Sequence, residues 1–219
     1  MGTRLRPLTN EIPKCLVPVN GVPMVERQIR FLHERGIKDI TLVSGYKAEK
    51  LDYLKDKYGV DIVFNPKYDT CNNIYSMYLV RDRLHDTYVV EGDVYMDENC
   101  FETAMEHSAY FSIFKKDEVN EWGLKTDEQH RLTAIEIGRV CGYIMSGISY
   151  WTAADALHIR AYLEKLIGTA DYTHLYWDNV ILDIYPSLHI YVHGVDCIYE
   201  IDTEPELRAL ERMLRAGEA

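Results

Sequence analysis

The sequence lacks the features that define several large classes of protein. No apolar run approaches the roughly 18 residues that a membrane-spanning helix needs, and the N-terminus has no apolar stretch of the signal-peptide kind. The five cysteines are odd in number and widely spaced, with no Cys-x-x-Cys pair, which argues against a disulfide framework and against a structural zinc site. These absences predict a reduced, cytoplasmic protein without a membrane partner.

Several catalytic motifs are also missing. The chain has no Walker A motif, no Gly-x-Gly-x-x-Gly and no Gly-x-Ser-x-Gly nucleophile elbow. His189 and His193 could share one face of a strand, but no third metal ligand accompanies them, so we interpret both as structural.

Positive charge is scarce. The chain has 24 Lys and Arg against 35 Asp and Glu, a net charge of −11. Such an acidic protein is a poor candidate for non-specific binding of nucleic acid or anionic lipid, because both repel it. A phosphate-bearing substrate would therefore need a local group of cations or a bound metal ion.

The composition is that of an ordinary globular protein. Of the 219 residues, 47% are hydrophobic and 27% are charged, which is enough apolar material for a sizeable core and excludes disorder as the main state. No linker, repeat or low-complexity tract interrupts the chain. We therefore predict a single domain over residues 1–219.

Apolar periodicity switches repeatedly between the spacings of helices and strands. It predicts helices over 24–35, 48–58, 74–83, 153–167 and 177–185, and a final helix capped by Thr203 with Glu206 in a capping box. It predicts strands over 40–43, 61–64, 87–90, 110–114, 123–126, 142–150, 188–192 and 198–201, with an irregular excursion over 115–140. This alternation predicts an α/β fold: a Rossmann-like, mixed and mostly parallel sheet with helices on both faces.

The first candidate site is the N-terminal segment. Gly2 and Thr3 allow backbone amides to approach an anion, and Arg4, Arg6 and Lys14 place three cations within eleven residues of an otherwise acidic chain. The alternative is a solvated, frayed end. The segment predicts a phosphate-binding loop.

Three acidic residues form the second candidate site. Asp93 follows a predicted buried strand, at the sheet edge where open α/β folds bind ligands. Glu200 and Asp202 lie two residues apart, so in a strand they share one face while Ile201 points into the core. Oxygen donors without thiols suit Mg²⁺. The alternative is an ordinary edge strand followed by a helix cap.

Aromatic residues are abundant, with 17 Tyr and 3 Trp. Trp122, Trp151, Tyr176 and Trp177 lie near predicted loops or element ends. Large aromatics usually belong to a core, but a solvent-open cluster of them would attract a quaternary ammonium group by about 0.5–2 kcal/mol per ring.

Taken together, these residues resemble a known family. Residues 2–9 (Gly-Thr-Arg-Leu-Arg-Pro-Leu-Thr), with Pro13-Lys14 and 20–24 (Asn-Gly-Val-Pro-Met), are similar to the signature of nucleotidyltransferases that activate sugar phosphates and related compounds. Five further segments resemble, in order along the chain, the bacterial CTP:phosphocholine cytidylyltransferases: 72–76, 121–122, 146–151, 176–179 and 199–202.

The resemblance implies a Rossmann-like enzyme that transfers CMP from CTP to phosphocholine, giving CDP-choline and pyrophosphate. It implies that Gly2, Thr3, Arg4 and Lys14 hold the nucleotide phosphates, and that Asp93, Glu200 and Asp202 hold Mg²⁺, with Arg4, Lys14, Asp93 and Asp202 as the catalytic residues. Asn72, Asn73 and Ser76 would shape the nucleotide site, and Trp122 and Tyr176 would line the choline pocket. CTP and phosphocholine would be its small-molecule partners.

The chain departs from the family pattern at two places. The family normally has a strand ending in Ala-Gly-x-Gly before Thr-Arg, so we expect this first strand to be missing from the sequence given. Some relatives carry an acid just before Tyr-Trp-Asp-Asn, where this chain has His174-Leu175, and Asp171 or Asp178 could replace it as counter-ion.

These departures leave other functions open. One alternative is another phosphate acceptor: a sugar-1-phosphate, phosphoethanolamine or 2-aminoethylphosphonate. A further alternative is a non-catalytic nucleotide-binding module.

Overall fold

The computed structural model describes residues 2–169 and 171–217. These residues divide into two compact units. Unit 1 comprises Met1–Phe64, Glu91–Thr103 and Cys197–Ala219, and unit 2 comprises Asn65–Val90 and Ala104–Asp196. The predicted domain over 1–219 includes residues 1, 170, 218 and 219, which lie outside the described residues. That the chain works as one domain stays a prediction.

The helices are α1 (Met24–Glu34), α2 (Tyr53–Tyr58), α3 (Ile74–Val80), α4 (Ala153–Thr169), α5 (Asp178–Ile184) and α6 (Glu204–Gly217). The strands are β1 (Pro18–Val19), β2 (Val22–Pro23), β3 (Thr41–Ser44), β4 (Asp61–Phe64), β5 (Thr87–Val90), β6 (Val94–Met96), β7 (Ser108–Thr126), β8 (Leu132–Trp151), β9 (Ile190–Gly194) and β10 (Ile198–Glu200). No helix in the described ranges is long and apolar enough to cross a membrane.

Unit 1 is built around α1 and three short strand pairs. Strands β1 and β2 form an antiparallel hairpin, β3 and β4 run parallel, and β6 pairs antiparallel with β10. Helix α1 buries Val25, Ile29 and Leu32, which are spaced to fall on one face. Gly36 lies two residues beyond Glu34, the last residue of the helix, and its φ of +79° is the left-handed conformation that commonly follows a helix end.

The core of unit 1 joins residues that are far apart in the sequence. Helix α6 contributes Leu207 and Leu210, and the turn after β10 contributes Ile201, which is 1% exposed. Val17 and Leu5, both fully buried, bring the N-terminal segment into the same cluster. The burial of these side chains holds the segment beside the β6–β10 pair.

Unit 2 is dominated by a long hairpin. Strands β7 and β8 pair antiparallel along most of their 19 and 20 residues, and the four-stranded sheet has the order β5-β8-β7-β9. Its core contains Trp151, fully buried, which meets Trp177 edge to face at 5.7 Å between ring centroids. Helices α3, α4 and α5 contribute apolar residues to this core, including Ile74, Ile159 and Ile181.

The α/β class, the mixed sheet and most predicted elements are confirmed. The predicted strands 61–64 and 87–90 have the bounds of β4 and β5. The predicted helices 48–58 and 74–83 each split into a 3-10 turn and a short α-helix.

Two expectations were wrong in detail. Among the described strands, two pairings are parallel and four are antiparallel, whereas a mostly parallel sheet was expected. The stretch 115–140 is mostly strand, because β7 continues to Thr126 and β8 starts at Leu132, and its irregularity consists of several register shifts in the pairing of these two strands. A turn of five residues connects β7 to β8, and a connection this short requires the two strands to run antiparallel.

Candidate functional site

The N-terminal segment of unit 1 is a folded loop. The hydroxyl of Thr9 donates a hydrogen bond to the carbonyl oxygen of Gly2 at 2.7 Å, and Thr9 itself is 1% exposed. Gly2 has a φ of +63°, and a Cβ added there would lie 3.0 Å from the Cβ of Lys14. The left-handed backbone and the close approach both favour glycine. The loop therefore places Gly2 beside Lys14. The alternative, a solvated and frayed end, was wrong for residues 2–14.

The β6–β10 pair positions the acidic residues. Asp93 immediately precedes β6, and Glu200, the last residue of β10, lies opposite Val94 in the antiparallel register. The turn to Asp202 is held by the predicted capping box, because the backbone amides of Asp202 and Thr203 donate to the Glu206 carboxylate at 2.9 and 2.8 Å. The start of β6 and the end of β10 lie side by side, and this end of the strand pair thus brings the carboxylates to one place.

The structure assembles a compact cluster of cations and carboxylates from the predicted residues. Oxygen atoms of Asp93, Glu200 and Asp202 all lie within 4.8 Å of one another. The ammonium of Lys14 donates to Oδ2 of Asp93 and to Oδ1 of Asp202, both at 2.6 Å. A guanidinium nitrogen of Arg4 lies 2.8 Å from Oδ2 of Asp202. All five residues belong to unit 1.

The two cations occupy different environments. The side chain of Lys14 is 13% exposed, whereas that of Arg4 is 69% exposed. Burial lowers the pKa of Lys14, but the charges and hydrogen bonds of Asp93 and Asp202 outweigh it and raise the pKa above its ordinary value. Lys14 is therefore a permanent inner cation, and Arg4 is an outer cation open to an arriving anion.

The acidic residues also fit a divalent cation. Three carboxylates without a thiol or imidazole form the oxygen donor set that hard ions such as Mg²⁺ prefer. Three negative charges at such short separations repel one another, and the Lys14 ammonium offsets part of that repulsion in the structure. A divalent ion would offset it further, so the donor chemistry and the charge balance both suit one.

Asn72, Asn73 and Ser76 lie in unit 2, at the start of α3. The side-chain amide of Asn72 donates to the carbonyl oxygen of His174 at 2.7 Å, and Oδ1 of Asn73 accepts from the backbone amide of Trp177 at 2.8 Å. Ser76 accepts a hydrogen bond from Asn65 at 2.9 Å. Both Asn side chains therefore hold the backbone of the segment that carries Tyr176, a contact that the sequence pattern did not reveal.

The predicted aromatic residues are also in unit 2. Tyr176 is 52% exposed, and its backbone amide donates to Oδ1 of Asn179 at 2.8 Å. Trp122 is half-buried on β7, opposite Ile137 of β8. Trp151 and Trp177 are core residues. Tyr176 is therefore an exposed aromatic residue on a loop held by hydrogen bonds.

The pKa values of two acids of this segment are shifted in opposite directions. Burial raises the pKa of Asp178 to about 6, although a hydrogen bond from the Tyr110 hydroxyl, at 3.1 Å, acts against the shift. Asp171 is exposed, and hydrogen bonds from the hydroxyl and the amide of Thr173 lower its pKa. Asp171 is thus the more firmly charged of the two counter-ion candidates at neutral pH.

The structure adds two residues that the sequence analysis passed over. Thr9 shapes the N-terminal loop through its buried hydroxyl, and only its place inside the signature hinted at a role. Gly92 precedes Asp93. A Cβ there would lie 3.1 Å from the Cβ of Cys15, so a larger residue beside the cluster would be crowded. Neither residue carries chemistry of its own, so composition and spacing give no signal for them.

Comparison with known proteins identifies similar sequences. The nucleotidyl transferase family model matches residues 1–136. A choline-phosphate cytidylyltransferase of Streptococcus pneumoniae is 42% identical over 98% of this chain and 95% of its own length. A 2-aminoethylphosphonate cytidylyltransferase of Lancefieldella rimae is 33% identical over 96% of this chain and 88% of its own length.

Comparison with solved structures also identifies a cytidylyltransferase as similar to this chain. The structure of a CTP:phosphocholine cytidylyltransferase from Streptococcus pneumoniae matches with a TM-score of 0.95 and 43% identity, covering 97% of this chain and 94% of that chain. The similarity therefore covers nearly the whole chain.

Proposed function

The chain belongs to the nucleotidyl transferase family, and we propose that it transfers CMP from CTP to phosphocholine, giving CDP-choline and pyrophosphate. One observation carries the proposal: a relative of nearly the same length, 42% identical, is a choline-phosphate cytidylyltransferase. The cluster of Lys14 and Arg4 with Asp93, Glu200 and Asp202 provides the kind of charge arrangement that this reaction needs.

The reaction is an in-line displacement at phosphorus. A phosphate oxygen of phosphocholine attacks the α-phosphorus of CTP, and the bond from that phosphorus to the pyrophosphate oxygen breaks. CTP carries about four negative charges, so the main obstacle is repulsion between anions rather than a missing proton acceptor. The attacking oxygen is already anionic, so the reaction needs no general base.

Cationic residues would lower that repulsion. In this proposal, Lys14 and Arg4 supply positive charge to the nucleotide phosphates and to the departing pyrophosphate. Gly2 and Thr3 belong to the same loop and would offer backbone and hydroxyl donors to the phosphates. The exposed position of Arg4 supports its role as the first contact of an incoming nucleotide.

Nucleotidyltransferases of this family generally use a divalent metal, and we propose Mg²⁺, held by Asp93, Glu200 and Asp202. When bound, such an ion screens the negative charge of the phosphates and polarises the phosphoryl group. The protein's own contribution is to hold three carboxylates at one point through the β6–β10 register and the capping box.

Choline recognition is assigned to Trp122 and Tyr176. A trimethylammonium group cannot donate ordinary hydrogen bonds, so ring faces and a nearby negative charge are suitable partners for it. The exposed ring of Tyr176 supports this role, and Asp171 is the better counter-ion because its pKa is lowered. Asn72, Asn73 and Ser76 are proposed, from the resemblance, to shape the nucleotide site.

A second acceptor is supported by one specific finding. The 33% identical relative from Lancefieldella rimae is a 2-aminoethylphosphonate cytidylyltransferase. A primary amine would need fixed hydrogen-bond acceptors in addition to rings, and the chain has Leu175 where some relatives have an acid. The proposed reaction mechanism is the same for both acceptors.

The proposal also includes the domain, the cellular compartment and the partners of the reaction. We propose that residues 1–219 act as one nucleotidyltransferase domain in the cytoplasm, where CTP is available, with small molecules rather than nucleic acid or membrane as its partners. The net charge of −11 supports the exclusion of polyanions. The five cysteines are all free thiols in the structure, as a reducing compartment would keep them.

The test is pyrophosphate release from CTP and Mg²⁺ with phosphocholine, 2-aminoethylphosphonate, phosphoethanolamine or glucose-1-phosphate as acceptor. We expect release with phosphocholine and a loss of at least about 100-fold in Asp93→Asn, because one carboxylate of the cluster becomes neutral. Asp39→Asn, which changes an exposed acid of the same unit, is the matched control and should keep wild-type turnover.

The outcomes separate the alternatives. Preference for 2-aminoethylphosphonate would keep the cytidylyl transfer and overturn the choline pocket. CTP binding by calorimetry without pyrophosphate release from any acceptor would favour the non-catalytic nucleotide-binding module.

A further inference from the structure

A lysine of unit 2 joins helix α3 to the loop that carries Tyr176, residues 171–177. The ammonium of Lys67 donates a hydrogen bond to the hydroxyl of Tyr172 at 2.7 Å. The same ammonium lies 4.4 Å from the ring centroid of Tyr75, on α3, and 5.4 Å from that of Tyr172. The two rings are nearly parallel, with 13° between their planes. One cation therefore interacts with two aromatic side chains from different segments.

The backbone of Lys67 is itself fixed. Its amide donates to Oδ1 of Asn65 at 2.8 Å, and Asn65 is 3% exposed. The side-chain amide of Asn65 donates to the hydroxyl of Ser76, on α3, at 2.9 Å. The carbonyl oxygen of Lys67 accepts from the amides of Thr70 and Cys71 at 3.1 and 2.9 Å. The position of the Lys67 side chain is therefore set by a buried residue and by a hydrogen-bonded turn.

Lys67 is charged in this position. The hydrogen bond to Tyr172 raises the pKa of Lys67 above its ordinary value and outweighs the opposing effect of desolvation. An ammonium over a tyrosine ring is also attracted to the negative face of that ring. Both interactions favour the charged form, so the contact is present at neutral pH.

Tyr172 lies between the two residues of the loop that are assigned to the acceptor. Asp171, the more firmly charged counter-ion candidate, directly precedes it in the chain. On its other side, the amide of Leu175 donates to the carbonyl oxygen of Tyr172 at 3.0 Å, and Tyr176 follows directly. A shift of Tyr172 would therefore displace the counter-ion candidate on one side and the exposed aromatic residue on the other.

We propose that Lys67 is a positioning residue for the phosphate acceptor, which acts by holding Tyr172 and with it the loop 171–177. This inference rests on the proposed function, because it adds a residue to the acceptor recognition assigned to Tyr176 and Asp171. Lys67 acts without touching the acceptor, since its ammonium is directed at the Tyr172 hydroxyl. Its loss should therefore change KM for the acceptor rather than the chemical step.

The first experiment compares amide hydrogen exchange in the wild type, Lys67→Met and Tyr172→Phe, each as the whole chain. The reporters are the amides of Leu175 and Trp177, which are both hydrogen-bonded in the structure. We expect exchange about five- to tenfold faster at these amides in both variants, because the loop opens more often once a hydrogen bond is lost. Lys116→Met, which changes an exposed lysine of unit 2, is the matched control and should exchange as the wild type does.

The second experiment measures steady-state kinetics with CTP and phosphocholine. Lys67→Met and Tyr172→Phe should each raise KM for phosphocholine about five- to tenfold, with kcat and KM for CTP within about twofold of the wild type. Lys67→Arg keeps a cation with hydrogen-bond donors and should restore most of the acceptor affinity. The double variant should be no worse than either single variant, because both changes remove the same contact.

Three results would overturn the proposal. Unchanged exchange at Leu175 and Trp177 in Lys67→Met would show that the contact does not hold the loop. Faster exchange with an unchanged KM for phosphocholine would show a purely structural contact. A raised KM in Lys67→Met but not in Tyr172→Phe would show that the lysine contacts the acceptor directly.

Failure of the proposed function is seen separately, in the wild type. A wild type that releases no pyrophosphate with any acceptor would contradict that function before any variant is compared, and the acceptor role of Lys67 would fall with it. An active wild type with one of the three results above would contradict the role of Lys67 alone. Thermal unfolding curves show that each variant is folded before its kinetics are measured.

Discussion

Replacing Lys14 with methionine tests the cluster most directly. Methionine keeps an unbranched apolar chain of similar length and removes the ammonium that lies 2.6 Å from both Asp93 and Asp202. The three carboxylates then remain within 4.8 Å of one another without the Lys14 ammonium, while the exposed Arg4 still pairs with Asp202. The expected result is a less stable protein in metal-free buffer.

The size of the effect follows from the geometry. With an effective dielectric constant of about 20, each ion pair at 2.6 Å has a Coulomb energy of about 6 kcal/mol. The desolvation of the charges cancels part of this, and breaking a largely buried pair by removing one partner costs about 3–5 kcal/mol. For a chain of this size, that loss corresponds to a fall in melting temperature of about 10 °C.

The assay is thermal unfolding of the wild type and Lys14→Met, each with EDTA and with MgCl₂. Mg²⁺ should raise the melting temperature of the variant more than that of the wild type, because it replaces the missing positive charge. Lys38→Met, which changes an exposed lysine of unit 1, is the control and should unfold as the wild type does. Equal stabilities of Lys14→Met and the wild type in EDTA would refute the reasoning.

The pH dependence gives a second check on the same variant. The folded-state pKa of Lys14 is raised, so its contribution to stability is fully present below its unfolded pKa of about 10.4. The contribution is lost as the pH rises through the higher folded pKa. The stability difference between the wild type and the variant should therefore stay constant from pH 7 to about pH 10 and shrink above it.

Three further predictions concern other sites. Glu26→Gln should lower the free energy of unfolding by about 1–3 kcal/mol at pH 7, because Glu26 accepts hydrogen bonds from two tyrosines and a lysine. Its pKa is lowered, so in urea titrations the difference should vanish as the pH falls below about 4.5. Asp178→Asn should raise stability at pH 7 by up to about 2 kcal/mol and have no effect near pH 3, since its pKa of about 6 makes the charged form unfavourable. Asn73→Ala removes the acceptor of the Trp177 amide and should raise KM for CTP, as the proposed nucleotide-side role requires, whereas a rise in KM for phosphocholine alone would contradict that role.

Local structure could be predicted because its signals are local. The spacing of Val25, Ile29 and Leu32 predicts a helix, and the structure has α1 there. Thr203 and Glu206 form the capping box that their spacing predicts. These features depend on residues within one or two turns of each other, so the sequence contains their physical cause.

The hairpin of β7 and β8 could not be predicted in the same way. Residues 115–140 are rich in charged and polar side chains, and much of this stretch is exposed in the structure. A strand that buries little apolar area shows no clear alternation, so its pairing comes from backbone hydrogen bonds to the neighbouring strand. Strand β6 has only three residues, too few for a periodic pattern.

The sequence by itself determined which kinds of side chain are available: two cations near the N-terminus, one acid after a buried strand, and two acids near the C-terminus. Only the tertiary structure decided that they meet, because Lys14 and Asp202 are 188 positions apart along the chain. Their meeting depends on the antiparallel register of β6 and β10 and on burial of Leu5 and Ile201 in one core. Attraction between charges is too weak in water to bring such distant segments together, so packing of the apolar residues places the cluster.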